Sequence, residues 1–167
     1  MARPSRPAPP RGTADVPVGL GVPLTEVSFH FNVPDRTEYA CRLLRKATRQ
    51  GAKVVVTGPG DVLSGLDRAL WVFDPIEFVP HALLRRHQSA PPHWLDTPVW
   101  LLEDSAAAVH HDVLLNLGHE APAGFESFAR LIEIVSADDE DDRAAARARW
   151  KHYASRGYTI VRHEAVQ

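Results

Sequence analysis

The stretch Leu131–Val161, LIEIVSADDEDDRAAARARWKHYASRGYTIV, contains three consecutive patterns that decide the fold. Apolar residues alternate with others over Leu131–Val135, which predicts a strand. An acidic cluster at 138–142 leads into an alanine-rich basic segment that ends at Gly157, after which the chain becomes apolar again. The stretch therefore predicts a strand, then a helix, then a second strand.

Both ends of this predicted helix carry the residues that helix ends favour. Acidic residues at its start complement the positive end of the helix dipole, and Ser136 or Asp138 is placed to cap the free amides. Basic side chains lie near its far end, where Gly157 is predicted as the first residue beyond the helix. The two ends predict the same helix independently.

One side of the helix is predicted to place cations beside aromatic rings. Residues three and four apart share a side of a helix, which gives two adjacent columns: Arg143, Arg147 and Lys151 in one, and Ala146, Trp150 and Tyr153 in the other. Such a surface suits an acidic peptide with an aromatic residue. The alternative interpretation is a solvated row of cations beside aromatic residues that belong to the core.

The first third of the chain predicts a βαβ unit. Glu26–Phe31 alternates with period two and predicts a strand, and the following helix begins at Asp35 or Thr37 and ends at Gly51. The next strand, Lys53–Thr57, is β-branched and almost entirely apolar, which is typical of a central strand covered on both faces. The connection between these strands is predicted to be right-handed.

The sequence Gly58-Pro59-Gly60-Asp61 follows that strand, where a doubly wound sheet would place a phosphate loop. The phosphate-loop pattern is absent, no lysine is close, and Pro59 lacks an amide that such a loop would use. The glycines are instead predicted to form a tight turn into a helix over Val62–Trp71. The sequence therefore predicts a sheet without a nucleotide-binding loop.

The middle of the chain is aromatic and rich in proline. Two prolines exclude Ala69–His81 from a central sheet position, so this segment either covers a sheet edge or offers anchors to another protein. Ala82–His93 is predicted as a loop. Two apolar strands, Thr97–Leu102 and Asp112–Leu117, precede a helical turn within Ala123–Arg130. Alternation of about six strands and four helices predicts an α/β domain with a mostly parallel, mixed sheet and helices on both faces.

Composition limits the class of protein. A chain of 167 residues, of which 44% are hydrophobic, is sufficient for one domain, predicted over 24–167. The net charge of −2 gives no global reason to bind nucleic acid. No apolar run approaches the length of a membrane span, and no hydrophobic segment follows the N-terminal arginines, so a cytoplasmic location is predicted.

Residues 1–23 are predicted to be a disordered extension. The segment is rich in proline, carries Arg3, Arg6 and Arg11, and has almost no large apolar side chains. Such a segment buries too little surface to offset the entropy lost on ordering.

Chemically versatile side chains occur without the spacing that a reaction needs. The nine histidines lack the spacing of a zinc site, and the serines lack the nucleophile elbow of a hydrolase. Cys41, the single cysteine, is predicted to be an inert thiol buried within a helix. Paired carboxylates occur only at 138–142, at the predicted helix start. The sequence therefore predicts no catalytic residue, metal or cofactor.

Two motifs resemble those of the chi subunit family of bacterial DNA polymerase III. They are Ala69-Leu70-Trp71 followed by Phe78-Val79-Pro80-His81, and the run from Arg147 to Tyr153 followed by Gly157-Tyr158. A Gly-x-Lys-Val-x-Val pattern at 51–56 adds to the resemblance, which extends over about 25–161. The resemblance implies a Rossmann-like domain without nucleotide chemistry. It also implies a non-catalytic accessory subunit of the polymerase holoenzyme in DNA replication.

The resemblance further implies two protein partners and a site for each. One partner is the acidic C-terminal tail of single-stranded DNA-binding protein, which ends in Pro-Phe, and the other is the psi subunit of the clamp loader. Matched position by position, the tail site comprises Val135, Arg143, Arg147, Trp150 and Lys151. The psi surface comprises Trp71, Phe78, Pro80 and His81, and DNA is contacted mainly through these partners.

The chain departs from the family pattern in three respects. Trp150 replaces the family's usual tyrosine at the first aromatic position of the tail site. The segment 136–142 carries an extra residue and an unusual acidity that should repel an acidic tail. The N-terminal extension is the third departure.

Two alternative functions belong to other classes. A small nucleotide- or metal-dependent enzyme on the same sheet would be stabilised by those ligands. Direct binding of single-stranded DNA would use Arg85, Arg86 and the basic N-terminal extension, and would depend steeply on salt.

Overall fold

The computed structural model describes residues 24–86 and 88–165, which form a seven-stranded sheet and three α-helices. The predicted extension at 1–23 lies outside the described residues. The strands are β1 (Glu26–Val33), β2 (Val54–Thr57), β3 (His81–Leu84), β4 (Val99–Leu102), β5 (Val113–Asn116), β6 (Arg130–Ser136) and β7 (Ile160–Glu164). The helices are α1 (Arg36–Arg49), α2 (Gly60–Val72) and α3 (Glu140–Ser155). Short 3-10 turns occur at Pro92–Trp94, Ser105–Ala107 and Phe125–Ser127.

The described strands all run parallel, in the order β3-β4-β2-β5-β6-β1-β7. The predicted α/β class is confirmed. The prediction was a mostly parallel, mixed sheet, whereas every described strand pair is parallel. Parallel neighbours require a crossover between them. The three helices make three of these connections, and loops with 3-10 turns make the others.

Helices cover both faces of the sheet, as predicted. Side chains alternate across a strand, so Val54 and Val56 of β2 pack in the cluster that contains α1 and α2. Val55 packs in the opposite cluster, which contains α3. All four residues of β2 are buried, which confirms a central strand covered on both faces.

The first βαβ unit follows its sequence signals closely. The Asp35 carboxylate accepts a hydrogen bond from the amide of Glu38 at 3.1 Å and caps α1. Gly51, just beyond α1, has a φ of 77°, a conformation that glycine adopts without a Cβ clash. The thiol of Cys41 is buried as predicted, and burial raises its pKa to about 11.

One loop prediction is wrong at its beginning. The segment Ala82–His93 was expected to be a loop, but Ala82–Leu84 belongs to β3 and pairs with β4 in parallel register. An edge strand needs a neighbour on one side only, so four residues with one apolar face are sufficient. This run is too short to show a period in the sequence.

The cap of α3 also differs from the prediction. Asp139, rather than Ser136 or Asp138, caps the helix by accepting from the amide of Asp142 at 3.1 Å. Ser136 Oγ instead accepts from the amides of Asp138 and Asp139, so it holds the turn that precedes the helix. Gly157 follows α3 with a φ of 84° and confirms the predicted helix end.

None of the described helices combines the length and the apolar character needed to cross a bilayer.

Candidate functional site

The structure brings the five predicted tail-site residues to α3 and the end of β6. Arg143, Arg147, Trp150 and Lys151 lie on α3, and Val135 lies near the end of β6. We call these five residues the α3 surface. Val135 is only 2% exposed, so it belongs to the apolar floor and not to the open part of the surface.

The aromatic part of the α3 surface is open to solvent. Trp150 is half-buried, and its ring lies 5.0 Å from Phe29 and 5.9 Å from Phe31. Phe31 is half-buried as well, whereas Tyr153 is fully buried. The core interpretation is therefore correct for Tyr153, while part of the Trp150 side chain remains accessible to solvent.

The cations of the α3 surface are exposed but not solitary. Arg147 Nη2 lies 3.1 Å from one oxygen of Glu140, and Arg143 Nη1 lies 3.8 Å from the other. The side chains of Arg143 and Arg147 are 48% and 60% exposed. Ion pairs this exposed contribute only about 0–1 kcal/mol, so both guanidinium groups remain available to a stronger anionic partner.

The structure adds Arg162, which sequence reasoning missed. Its guanidinium carbon lies 4.7 Å from the ring centroid of Phe31, beside Trp150, and its Nη2 lies 3.0 Å from Glu164. Arg162 pairs with Phe29 across β1 and β7. Side chains alternate between the two faces of β7, so Ile160, Arg162 and Glu164 share a face. This alternation is the sequence signal that would place Arg162 on the same face as Phe29 and Phe31.

A buried ionic network lies beneath the α3 surface. Glu133 of β6 is 0% exposed and Arg149 of α3 is 3% exposed, and Arg149 Nε donates to Glu133 at 2.9 Å. Tyr153 Oη donates to the same carboxylate at 2.8 Å, and Asn116 Nδ2 donates at 3.0 Å. These contacts fix α3 on the sheet and thereby fix the orientation of its outer face.

Burial and pairing act in opposite directions on this network. Burial raises the pKa of the Glu133 carboxyl, while Arg149 and the other donors act to lower it. Burial and the neighbouring carboxylate together raise the pKa of Tyr153. Sequence reasoning missed this network. The signal was the helical spacing of its inner face, whose buried residues are Asp142, Ala146, Arg149 and Tyr153.

The residues predicted to contact psi lie on a second surface, at the β3 edge of the sheet. Trp71, Ile76 and Phe78 are 61%, 93% and 49% exposed, and Val72 is 80% exposed. We call these four residues, with the exposed Pro80, the α2–β3 patch. The rings of Trp71 and Phe78 are stacked with centroids 4.9 Å apart. Large apolar side chains gathered this way on a surface mark interaction sites.

His81 lies under this patch, with a side chain only 1% exposed. Its ring nitrogens face two acceptors, the Val79 carbonyl at 2.7 Å and the Asp67 carboxylate at 3.1 Å. Its ring lies 5.3 Å from Trp71 and 5.6 Å from Phe78. The structure therefore gives His81 a supporting position beneath the two exposed rings.

The loop of the α2–β3 patch is held by α1. The Asp74 carboxylate accepts from the amides of Glu77 and Ile76 and pairs with Arg45 at 3.0 Å. These amides, with Arg45, hold the pKa of Asp74 below its usual value. Arg49 Nε donates to Glu77 at 2.6 Å. The exposed rings thus stand on a loop that is fixed by hydrogen bonds and ion pairs.

The turn after β2, where a phosphate loop would lie, borders a cavity of about 710 Å³ at the carboxyl ends of β2, β4 and β5. At the carboxyl ends of β2 and β5, the Glu103 carboxylate occupies the space that a Cβ on Gly60 would need. A Cβ on Gly58 would lie 3.3 Å from the backbone of Leu117, so this position is closely packed, whereas the contact at Gly60 is with the end of a flexible side chain. A carboxylate at the start of α2 opposes binding of a phosphate there.

The residues of the alternative functions are also defined. Arg85 donates to Ser64 Oγ at 3.2 Å, and Arg86 Nε lies 3.6 Å from Glu103. Over 24–86 and 88–165, no three His, Cys, Asp or Glu side chains are grouped so as to hold a metal ion.

A wholly parallel sheet covered by helices on both faces defines a Rossmann-like domain. The match of residues 24–161 to the family of the DNA polymerase III chi subunit, HolC, makes the chain a member of that family. The resemblance stated from the two sequence motifs is confirmed.

Two relatives agree with this assignment, and a solved structure agrees with the fold. DNA polymerase III subunit chi of Pseudomonas aeruginosa is 35% identical over 146 residues, covering 84% of this chain and 96% of the relative. The Haemophilus influenzae subunit is 32% identical over 127 residues, covering 74% and 83%. The C-terminal domain of S. cerevisiae Dbp5, solved with Gle1 and IP6, has a TM-score of 0.53 at 9% identity. It covers 84% of this chain and 90% of that chain, and it shows the fold alone.

Proposed function

We propose that this chain is a non-catalytic adaptor of DNA polymerase III. It links the psi subunit of the clamp loader to the C-terminal tail of single-stranded DNA-binding protein, in the cytoplasm at the replisome. Membership of the chi family supplies the broader function, an accessory subunit of DNA polymerase III in DNA replication. The observation that carries the proposal is the row of exposed cations beside the half-buried indole of Trp150.

The α3 surface offers each chemical group of the tail a partner. Aspartates and the terminal carboxylate would accept charge-assisted hydrogen bonds from Arg147 and Lys151. The terminal phenylalanine ring would pack on Trp150 and Phe31, with Arg162 at the rim. Arg143 would contribute a further cation where the tail approaches the start of α3.

Such a site would bind at roughly micromolar strength, which corresponds to about −8 kcal/mol. Binding should weaken as salt increases, because the cations are exposed and salt screens their attraction for the tail. Glu140 opposes the tail further, because it already neutralises part of Arg143 and Arg147.

The α2–β3 patch is the proposed psi site. Stacked Trp71 and Phe78 on a fixed loop provide the aromatic anchors that dominate binding energy in many interfaces. Pro80 adds exposed apolar surface, and His81 holds the rings from beneath.

Calorimetry with a synthetic tail peptide tests the α3 surface. We expect Arg147→Ala and Trp150→Ala each to abolish measurable binding while the folded structure is retained. Arg68→Ala is the matched control, because Arg68 is an exposed arginine on α2, across the sheet from α3. Wild-type affinity in both α3 variants would refute this site.

Co-purification with psi tests the other surface. Phe78→Ala should lose psi and retain the tail peptide, whereas Leu95→Ala removes an exposed apolar side chain elsewhere and should retain both. Unchanged recovery of psi with the Phe78 variant would count against the patch. A thermal-shift series with nucleotides and divalent metals addresses the enzyme alternative, since the adaptor function expects no stabilisation.

A further inference from the structure

A second cavity lies between α1 and the sheet, on the face opposite to α3. Its volume is about 350 Å³, and it opens beside β5, β6 and β1 on the face that α1 covers only in part. Apolar side chains form its floor, among them Leu43, Leu115 and Ile132. Polar and cationic side chains stand at its rim. We call this cavity the α1 groove.

The rim of the α1 groove is a connected set of rings. The imidazoles of His30 and His163 stack with centroids 4.6 Å apart and planes inclined by 24°. Nδ1 of His30 lies in hydrogen-bonding contact with the hydroxyl of Tyr39. The rings are therefore held in place before any ligand arrives, which reduces the ordering cost of binding.

Positive charge converges on this rim. Lys46 and Arg130 line the groove, and their charges, with that of His163, add to burial in lowering the pKa of His30 to about 4. The chain as a whole carries a net charge of −2, so this concentration of cations is local. A cationic rim of this kind attracts an anion.

The rim cations are weakly neutralised by the chain itself. Arg130 Nε lies 4.0 Å from Glu26 Oε1, at the limit of an ion pair, and both side chains are about half exposed, 50% and 53%. Such a contact contributes little. Lys46 is exposed on the last turn of α1.

We propose that the α1 groove binds a small organic anion, with a carboxylate or phosphate on an apolar body. The apolar body would lie on Leu43 and Ile132, and the anionic group would meet Lys46 and Arg130. A cavity of this volume, mostly apolar with a few converging polar groups, has the character of a small-molecule site. The anionic group is a carboxylate or a phosphate, and two probes distinguish these headgroups.

The test uses the full chain and two probes, phenylacetate and phenyl phosphate. Binding is followed through the imidazole proton resonances in a nuclear magnetic resonance titration. We expect either probe to shift His30 and His163 while His110 and His152, which lie outside the groove, stay unchanged. The probe that binds more tightly identifies the headgroup. Failure of both probes to shift the two groove histidines would overturn the proposal.

Two kinds of experiment separate the charged and the apolar contributions to binding. One uses variants of the rim cations, and the other uses small molecules that carry only the anionic or only the apolar part of a probe. Lys46→Gln and Arg130→Gln should each weaken binding about fivefold, the size expected for one exposed charge-assisted contact. Arg49→Gln removes a cation of α1 that pairs with Glu77 instead, and should leave affinity unchanged. Inorganic phosphate and benzyl alcohol should each bind more weakly than the joined probes. Equal affinity in wild type and both groove variants would contradict the proposal.

Discussion

Arg147 and Arg149 stand two positions apart on α3 in opposite environments. Arg147 is 60% exposed and pairs with the exposed Glu140, whereas Arg149 is 3% exposed and pairs with the fully buried Glu133. The same side chain thus serves a surface in one case and the core in the other. Replacing each arginine by methionine separates the two roles, because methionine keeps much of the volume and removes the charge.

Arg149→Met should destabilise the fold by about 3–5 kcal/mol, because it leaves the Glu133 carboxylate buried without its cation. Urea unfolding followed by circular dichroism measures the loss. Arg147→Met is the matched control and should change stability by less than about 1 kcal/mol. Adding Glu133→Gln to the Arg149 variant should restore part of the loss, and equal losses at the two arginines would contradict the buried pair.

His30 should make stability depend on pH in a defined window. Its pKa is lowered from 6.5 to about 4 in the folded chain, first by burial and then by His163, Arg130 and Lys46. The unfolded chain therefore takes up the proton first as pH falls, so stability decreases between pH 6.5 and about pH 4 and is unaffected by this group above that window.

Comparison with His30→Gln isolates this effect, because glutamine can still form a hydrogen bond with Tyr39 but does not titrate. The stability of wild type relative to the variant should fall as pH decreases through the window. Thermal unfolding at several pH values measures the difference. A constant difference from pH 7 to pH 4 would contradict the assignment.

The residue scale also shows where sequence reasoning reached its limit. The column of Arg143, Arg147 and Lys151 follows from helical spacing alone and is found exposed. The partner of Arg149 does not follow from its own helix, because Glu133 is contributed by β6, sixteen residues earlier. The sequence of β6 alone does not show that the carboxylate of Glu133, which lies between apolar residues, is buried. Contacts between elements decide that.

At the scale of elements, the acidic start of α3 has two opposing effects. Asp139 caps the helix, and acids in its first turn complement the helix dipole. Glu140 also reaches the arginines of the α3 surface. The acids that stabilise the helix therefore weaken its attraction for an acidic ligand.

If the proposed tail site is correct, Glu140→Gln should raise the affinity of the tail peptide about two- to fivefold, because it frees Arg143 and Arg147. Asp141→Asn removes the neighbouring exposed acid and serves as the control, with a smaller gain expected. Calorimetry at low and moderate salt measures both. Unchanged affinity in the Glu140 variant would show that this acid does not compete with the tail.

Two glycines of different elements should respond in opposite directions to alanine. Gly65 lies within α2 with open space around a Cβ, so Gly65→Ala should stabilise by about 0.5–1 kcal/mol. Gly157 has a φ of 84°, so Gly157→Ala should destabilise by about 1–2 kcal/mol. Denaturant unfolding of both variants under one condition measures the pair. The same sign at both positions would contradict the helix boundaries.

At the scale of the whole molecule, the strands that are buried on both faces were the predictable part of the fold, because such strands are continuous apolar runs in the sequence. The run Lys53–Thr57 contains the observed β2, and its apolar character alone placed it at the centre. The edge strand β3 was missed because four residues with one neighbour leave little pattern. The α1 groove was not predictable, since it requires His30 and His163 from strands that meet only in the sheet.

The placement of the two proposed surfaces predicts that psi and the tail bind at the same time. The α2–β3 patch lies at the β3 edge on the side of α1 and α2, whereas α3 packs on β6 and β7 across the opposite face. Four strand spacings separate β3 from β6, which corresponds to about 19 Å before the thickness of the sheet is included. No residue of either surface belongs to the other.

Affinity for the tail peptide should therefore change less than about twofold when psi is bound, a coupling of under about 0.4 kcal/mol. Calorimetry on the chain alone and on its complex with psi measures this coupling. Arg147→Ala should remove the peptide from the ternary complex and leave psi in place, while Phe78→Ala should do the reverse. Mutually exclusive binding, or a tenfold change in either direction, would mean that the surfaces communicate through the buried Glu133–Arg149 network or that one of them has been placed incorrectly.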